Sequence, residues 1–374
     1  MNLFFELIRL AIGTQEGLSH CPTPQEWMGA YKEAQRNSMT GICYAGMLAL
    51  PNEAWPDRVL KANWQHKALW IQEYNRTLNG QCAKLQDKLK RAGFRSYIMK
   101  GQAVGSLYRS NGRVDLSLLR QTGDIDVLVE GGFRKVMNLV QSLLPTDKWN
   151  ELEIEFRCFD DTLVEVHYRP MIMRHPLRNR RLQRFFEGTA EGCFDNSVRL
   201  SVKEGDELAW VEIKAGTLEF NIVHQLVHTF LHLFTEGIGM RQMLDYYFVL
   251  MACEDLEATK IQPIVKRLGL RRYASGMLWL MREVFGMAEP DMARACDILG
   301  VTPNEHAGRL LLGEVMRGGN FGRFDDRKDV SATGIRRIWN NYRHNARLLY
   351  FDRWAWFWDP LWRVYQKGKR VIRG

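Results

Sequence analysis

The sequence predicts an α+β protein in which a small mixed β-sheet lies between N-terminal helices and a C-terminal all-helical domain. Residues 1–94 carry apolar side chains at helical spacing, and every segment from about residue 219 onward does so again. Short β-prone runs fall between about residues 95 and 200. We therefore expect three parts, 1–94, 95–215 and 216–374, with the sheet in the middle part.

The composition is typical of a soluble globular protein. Of the 374 residues, 46% are hydrophobic and 25% are charged, which excludes the disordered, collagen-like and coiled-coil classes. No apolar run approaches the roughly 20 residues of a membrane helix. Glu6 and Arg9 interrupt the apolar N-terminus, and the seven cysteines are scattered along the chain. These features predict a cytoplasmic protein with free thiols and without integral membrane association.

The elements follow from periodicity and turn residues, taken in order. One long helix is predicted over 55–92, because breakers are few there. The middle part is predicted to form strands at 95–99, 124–130, 152–159 and 162–168 and helices at 102–109 and 133–144. Asp160 and Asp161 separate the last two strands and favour a hairpin turn. Helices are then predicted over 219–236, 239–254, 259–285, 304–316 and 334–368.

The most informative local pattern is Gly123-Asp124-Ile125-Asp126-Val127. Residues two apart on a strand point to the same face, so Asp124 and Asp126 project side by side. Two adjacent carboxylates repel each other unless a cation lies between them, and hard divalent ions prefer oxygen ligands. Glu165 and His167 share a face of a later strand, so Glu165 is a candidate third carboxylate of a two-metal site. The alternative is a charged, solvent-facing strand edge.

A second pattern, Met99-Lys100-Gly101-Gln102, ends a strand and opens a helix. Glycine permits a close approach of the backbone to a ligand, and a helix N-terminus favours phosphate. Lys100 would add a positive charge, although an ordinary turn with a solvated lysine is the alternative. The chain contains no G-x-x-x-x-G-K-[ST] or G-x-G-x-x-G motif, so it offers no support for a P-loop or dinucleotide-binding protein.

The order of these parts resembles the DNA polymerase β-like nucleotidyltransferase superfamily. More narrowly, it resembles the bacterial family of uncharacterised nucleotidyltransferases. The matching pieces extend over about 150 residues. They are Tyr97-Ile98-Met99-Lys100-Gly101, Tyr108, Arg120, Gly123-Asp124-Ile125-Asp126-Val127-Leu128-Val129, Val164-Glu165-Val166-His167-Tyr168, Gly239-Met240-Arg241 and Asp245.

The resemblance implies a nucleotidyltransferase core that binds an NTP with Mg²⁺ or Mn²⁺ and transfers a nucleotidyl group to an unidentified acceptor. It implies that Asp124, Asp126 and Glu165 are the catalytic residues and metal ligands. It also implies nucleotide contacts from Lys100, Gly101, Gln102, Arg120, Gly123, His167, Arg241 and Asp245. The superfamily carries a Gly-Ser turn before its D-x-D, and Lys100-Gly101-Gln102 stands there instead. Glu153 and Glu155 remain alternative third acids.

Two helical patterns carry further polar residues. His224, His228 and His232 recur every four residues, but Gln225 replaces the glutamate of a zinc protease motif, so we expect polar packing against the sheet. Arg241 and Asp245 are also four residues apart. They either pair on their helix or face the cleft.

Positive charge concentrates in two stretches. Residues 169–184 contain six arginines and no acid, which suits phosphate or an anionic acceptor, with a solvated loop as the alternative. The chain carries a net charge of +9, and residues 316–374, with 14 Lys and Arg against 5 Asp, account for this surplus. The Trp- and Arg-rich tail from residue 350 is typical of single-stranded nucleic-acid binding, of an interfacial helix, or of a helix packed on its own domain.

The sequence therefore predicts a metal-dependent nucleotidyltransferase whose acceptor is RNA, a protein, a peptide or a small molecule. The main alternative is a catalytically idle scaffold of the same fold that binds nucleotide or RNA. A membrane-surface or assembly protein that uses its basic aromatic tail is a further alternative.

Overall fold

The structure is a computed structural model. It describes residues 2–109, 112, 114–325, 346–354, 357–358 and 361–362. The helix predicted over 334–368 therefore lies mostly outside the described residues. Within that range, residues Ala346–Tyr350 form a short 3₁₀ helix.

The segment before the sheet is helical, as predicted. Its helices are α1 (Leu3–Ile12), α2 (Pro24–Arg36), α3 (Thr40–Leu48) and α4 (Arg58–Arg91). The longest, α4, begins where the Asp57 carboxylate accepts the backbone N–H groups of Val59 and Leu60. Basic side chains in its last turn complement the helix dipole. The prediction of one long helix over 55–92 is thus confirmed.

The predicted four-stranded sheet is present and mixed. Its strands are β1 (Ser96–Ile98), β2 (Asp124–Val129), β3 (Glu153–Phe156) and β4 (Leu163–His167), in the order β1-β2-β4-β3. β2 pairs with β1 in antiparallel and with β4 in parallel, and β3 and β4 form the expected antiparallel hairpin. Three helices lie between these strands along the chain. Between β1 and β2 are α5 (Gln102–Gly105) and α6 (Leu116–Leu119), and between β2 and β3 is α7 (Gly132–Leu143).

The two faces of the sheet differ because side chains alternate along each strand. Ile125 and Val127 of β2 and Val164 and Val166 of β4 join an apolar cluster with α4 and α7. The carboxylates of β2, β3 and β4 occupy the opposite face. One face of the sheet is therefore core, and the other is available for chemistry.

The sheet is followed by a helix and a β-hairpin, neither of which the sequence predicted. Residues 169–184 are not a solvated loop along their length, because α8 (Pro176–Asp195) begins within them. Pro176 at the first helical position suits a helix start. The strands β5 (Ser197–Glu204) and β6 (Glu207–Lys214) then pair in antiparallel as a separate two-stranded sheet.

The C-terminal region is helical as predicted, with one break and one addition. Its helices are α9 (Leu218–Leu233), α10 (Met240–Ala252), α11 (Ala258–Leu268), α12 (Arg271–Glu283), α13 (Glu289–Leu299) and α14 (Glu305–Gly318). The single helix predicted over 259–285 is wrong, because Gly269 adopts a left-handed conformation with φ +75° and ends α11. The helix α13 was not predicted.

The N-terminal helix α1 is joined to the end of α12 by hydrogen bonds. The Arg9 guanidinium donates to the carbonyl of Val284 at 3.0 Å, and the Thr14 hydroxyl donates to that of Phe285 at 2.6 Å. A large apolar cluster contains side chains from α1 and α3 as well as from α9 to α14. The division into three parts at residues 94 and 215 stays a prediction. Within the described parts of the chain, no helix has the length and apolar character needed to cross a membrane.

Candidate active site

A cavity of about 600 Å³ lies between the polar face of the sheet and the helices α9 and α10. The sheet side contributes Asp124, Asp126, Glu153, Glu165 and His167. The helical side contributes Gln225, His228, His232, Arg241 and Asp245. The cavity therefore joins the sheet to the C-terminal helices and brings together most of the residues predicted to be functional.

The acidic cluster is formed by strand pairing. Asp126 of β2 lies directly opposite Glu165 of β4, so the predicted third carboxylate lies beside the D-x-D strand. One ligand atom each from Asp126, Glu165 and His167 fall within 4.8 Å of one another. The set has the separation and the chemistry of a cation site. Because Asp124 lines the same cavity, four candidate ligands face one space.

Lys100 lies inside this cluster rather than in solvent. The N–H of Met99, the residue before Lys100, donates to the carbonyl of Asp126. The pairing of β1 with β2 therefore extends to Met99. The Lys100 Nζ then lies 2.7 Å from Oδ1 of Asp126, and only 18% of the side chain is exposed. Burial opposes a charged lysine, but Asp126, Asp124 and Glu165 raise the pKa of Lys100 above its usual value. The alternative of a solvated lysine is wrong, because the side chain is largely buried beside Asp126.

The same charges shift the carboxylates in opposite directions. Although burial opposes it, contact with Lys100 and His167 holds the pKa of Asp126 well below its usual range. Burial raises the pKa of Glu165 to about 7, and the charges of Asp126 and Glu153 add to the effect against the contact with His167. A carboxyl group with this pKa is partly protonated near neutral pH, as expected for carboxylates that lack sufficient countercharge.

His167 connects the strands at the centre of the cluster. Its Nε2 lies 3.1 Å from Oδ1 of Asp126 and 3.2 Å from Oε2 of Glu153. Burial opposes protonation, but Asp126 and Glu165 raise the pKa of His167 to about 9. Its buried Nδ1 has no hydrogen-bond partner among the described residues. The sequence assigned His167 to the nucleotide, and the geometry groups it with the candidate metal ligands instead.

Asp124 differs from Asp126 although both lie on one strand face. Burial and the charge of Asp126 raise the pKa of Asp124 above its usual value. Asp124 is not part of the close three-residue set, and it lies at the start of β2 on the cavity wall. Gly123, which precedes it, is exposed and is not among the residues that line the cavity.

The turn at Gly101 requires glycine for geometric reasons. Its φ is +58°, and an added Cβ would lie 3.3 Å from Cγ2 of Thr122. The helix that follows, α5, has only four residues, so its N-terminus offers a weak site for phosphate. The Gln102 amide points to Oδ1 of Asn75 at 3.4 Å, whereas Gly101 lines the cavity.

A buried ion pair connects the sheet region to α10. Arg120 binds Asp245 through two hydrogen bonds, Nε to Oδ1 at 2.6 Å and Nη2 to Oδ2 at 2.8 Å. The Tyr108 hydroxyl donates to the same carboxylate at 2.7 Å. Although burial opposes it, Arg120 keeps the pKa of Asp245 low. Arg241 donates to the carbonyl of Gln121 at 2.7 Å and also faces the cavity.

The histidine stripe of α9 packs against the sheet region, as expected. His224 contacts the carbonyl of Pro170 at 3.3 Å. The Nε2 of His228 lies 3.4 Å from Nζ of Lys100 and 3.0 Å from Nε2 of His232. Burial and the charge of Lys100 hold the pKa of His228 well below its usual value. His228 is therefore neutral and can accept a hydrogen bond from Lys100.

Among the polar residues that line the cavity, sequence reasoning gave no role to Thr122. It named Glu153 only as an alternative third acid, not as a contact of His167, and Arg174 only as one of six arginines in residues 169–184. The hydroxyl of Thr122 accepts a hydrogen bond from Nη1 of Arg120 at 2.6 Å. Glu153 lies opposite His167 in the β3–β4 hairpin. Because the sequence predicted that hairpin, its register could have identified Glu153 as a neighbour of His167. Nothing in the local sequence distinguishes Arg174 from the arginines around it.

Comparisons with known proteins identify one family. A family model described as "Uncharacterised nucleotidyltransferase" matches residues 23–286, which is most of the chain and includes every residue of the cavity discussed above. A crystal structure of an antigenic nucleotidyltransferase-like protein from Paracoccidioides brasiliensis is similar at 12% identity and a TM-score of 0.31. That similarity covers 62% of this chain and 96% of the other. No curated protein matches the chain.

Proposed function

The chain belongs to the uncharacterised nucleotidyltransferase family, and from that premise we propose that it transfers a nucleotidyl group from an NTP to an acceptor. The reaction would depend on Mg²⁺ or Mn²⁺ and would take place in the cavity between the sheet and α9. One observation carries the proposal. Asp126 and Glu165 are direct neighbours across β2 and β4, in a cavity that Lys100 and Arg241 also line.

The donor set fits a divalent cation. It offers carboxylate oxygens from Asp124, Asp126 and Glu165, with an imidazole nitrogen from His167 close by. The raised pKa of Glu165, about 7, supports a cation at this site, as does the Nδ1 of His167, which has no hydrogen-bond partner among the described residues. When bound, the ions would supply positive charge to the phosphates and activate the acceptor hydroxyl.

Different residues of the cavity would bind the cations and the phosphates. Asp124, Asp126 and Glu165 would hold the cations. Lys100, close to all three, would place a fixed positive charge where negative charge develops. Arg241, on the opposite wall, would contact the triphosphate.

Arg120 would serve the site indirectly. It is committed to Asp245 and Thr122, so we propose that it positions the cavity wall rather than binding a phosphate. The sequence had assigned both Arg120 and Asp245 to the nucleotide.

The test is a transfer assay with each of the four NTPs, labelled at the α-phosphate, in the presence of Mg²⁺ or Mn²⁺ and a cell extract. We expect a labelled macromolecule or small molecule with at least one NTP, and none with the Asp126→Asn variant. A matched control is Glu155→Gln, because Glu155 lies on β3 opposite Glu165 but does not line the cavity.

Nucleotide binding measured by calorimetry distinguishes the enzyme from the alternative, a catalytically idle scaffold. A wild-type protein that binds an NTP with Mg²⁺ but labels nothing with any of the four would support the scaffold and contradict transfer. Loss of both binding and labelling in Asp126→Asn, with Glu155→Gln unchanged, would support the enzyme.

A further inference from the structure

A second cavity in the described part of the chain is lined by cations without acids, unlike the candidate active site. It has a volume of about 790 Å³ and is formed where α8, α11 and α12 meet. Five of its lining residues are cations, and none of the described lining residues is acidic. We call it the basic cleft, and its cations are Arg178, Arg181, Lys266, Arg267 and Arg271.

Contacts within the protein hold two of the cleft's arginines in place. Arg178 is mostly buried and pairs with the buried Asp352. Its guanidinium lies over Gly269, where an added Cβ would come within 2.5 Å of Nη2. Arg181 donates to the carbonyl of Arg267 at 2.9 Å, and that bond ties α8 to the end of α11. The exposed heads of Lys266, Arg267 and Arg271 then remain available to an anion.

The start of α8 connects this cleft to the catalytic cavity. Arg174 and Trp362 line the catalytic cavity, and Arg178 and Arg181 line the basic cleft. With a rise of about 1.5 Å per residue, Arg181 lies roughly 5 Å along the helix axis from Arg178. Three arginines of one short segment, Arg174, Arg178 and Arg181, therefore line the two cavities, and we call them the arginine row.

Aromatic rings lie beside this row. His175, directly after Arg174, has its ring centroid 6.0 Å from that of Trp354 and 5.6 Å from that of Trp358. Trp354 and Phe357 remain 45% and 50% exposed. Exposed aromatic rings next to a groove of cations are typical of proteins that stack the bases of a single strand while neutralising its phosphates.

We propose that the acceptor of the nucleotidyl group is the 3′-terminal hydroxyl of a single-stranded RNA. Its preceding nucleotides would lie along Arg174, His175 and Trp354 and enter the basic cleft. This inference rests on the proposed function, since it names the acceptor of that reaction. The hydroxyl oxygen bonds to the α-phosphorus, the bond from that phosphorus to the bridging oxygen breaks, and pyrophosphate leaves. The hydroxyl proton passes to a cavity carboxylate and then to water.

The first test measures binding of a short labelled single-stranded RNA over a salt series, without NTP or metal. The variant Lys266→Gln/Arg271→Gln removes two exposed cleft cations. Its affinity should fall roughly tenfold near physiological salt, and the salt slope should become shallower by about 1.4. The control Lys84→Gln/Lys90→Gln removes two exposed cations of α4 and should bind like wild type.

The variant Trp354→Ala distinguishes RNA from an acidic protein as the ligand of the basic cleft. Loss of a stacking ring should weaken RNA binding at least roughly fivefold and leave binding of a poly-glutamate peptide unchanged. RNA binding that none of these variants alters would overturn the proposal. So would poly-glutamate binding as tight as RNA binding and equally weakened by Trp354→Ala.

The second test adds α-labelled NTP, Mg²⁺ and either an RNA with a free 3′ hydroxyl or the same RNA ending in a 3′-deoxynucleotide. Label should enter only the first. Label that appears in a cell extract but in neither RNA overturns the acceptor and leaves the proposed function intact. Absence of label from RNA and extract alike, with RNA binding as expected, contradicts the proposed function itself.

Discussion

At the scale of the residue, Asp124 and Asp126 share one strand face but have opposite electrostatic surroundings. Asp126 contacts Lys100 and His167, whereas burial and the charge of its neighbour make Asp124 less favourable as an anion. Their contributions to stability should therefore have opposite signs. The sequence pattern alone predicted the same role for both.

We predict that Asp126→Asn destabilises the metal-free protein by about 3 kcal/mol, because buried Lys100 and His167 each lose a charged partner. Asp124→Asn should leave the free energy of unfolding equal or slightly raised, because it removes repulsion. Denaturant unfolding of both variants in EDTA checks this. Equal losses in the two variants would show that the ion pair with Lys100 contributes little.

His167 predicts a pH dependence of the metal-free protein. Its pKa is about 9 in the folded protein, above the ordinary value of about 6.5 for histidine. Between those values the folded state binds more protons than the unfolded state, so stability falls as the pH rises from about 7 to 9. We expect a loss on the order of 2 kcal/mol over this interval.

Denaturant unfolding in EDTA at a series of pH values measures this loss, and His167→Gln should flatten the curve. Because bound metal requires His167 and Glu165 without their protons, metal affinity should instead rise with pH. A wild-type curve as flat as that of the variant would remove His167 from the charged cluster.

At the scale of the element, two helical glycines have different surroundings. An added Cβ on Gly46 of α3 would lie 1.9 Å from the Leu7 carbonyl oxygen of α1, which real structures do not tolerate. An added Cβ on Gly80, inside α4, would meet nothing within 4 Å. The close crossing of α1 and α3 therefore depends on Gly46, and the path of α4 does not depend on Gly80.

We predict that Gly46→Ala lowers the unfolding free energy by more than about 2 kcal/mol, because α1 must move away from α3. Gly80→Ala should raise it by up to about 1 kcal/mol, since alanine is the better helix former. Thermal melts of the two variants test the pair. A stable Gly46→Ala protein would mean that α1 shifts without cost.

The elements that the sequence predicted well are those with strong periodicity. Alternation located β2, and the Asp160-Asp161 turn located the β3–β4 hairpin. In contrast, the start of α8 is so rich in arginine that it lacks an apolar period, and the break after α11 depends on Gly269 inside an apolar run. Within the site, strand alternation placed Asp126 and Glu165 on their faces. The burial of Lys100 depends on contacts with α9, more than 120 residues away, and no local pattern encodes it.

At the scale of the whole molecule, the segment after α14 closes part of the core. Phe351 is 3% exposed and packs edge to face on Tyr273 of α12, with ring centroids 5.7 Å apart. Asp352 balances the charge of Arg178 on α8. The described part of the basic aromatic tail thus includes both buried and exposed residues. The buried residues agree with the predicted packing of the tail on its own domain, and binding by the exposed residues stays a prediction.

We predict that truncation after Leu349 lowers the melting temperature by several degrees, because a buried Phe is worth about 3–5 kcal/mol and Arg178 loses its partner. Phe357→Ala in the full chain is the matched control, since that ring is 50% exposed and its loss should not change the melt. Differential scanning calorimetry distinguishes them. A truncated protein as stable as the full chain would contradict the packing role.

The two-faced sheet also limits which insertions and deletions this protein can accept during evolution. Side chains alternate with a period of two, so loss of one residue within β2 would exchange its faces. The aspartates would enter the apolar interior, and Ile125 and Val127 would line the candidate active site. Folding and chemistry would therefore fail in the same step. Length changes should accumulate instead in the connections that precede and follow the strand, where they leave its alternation intact.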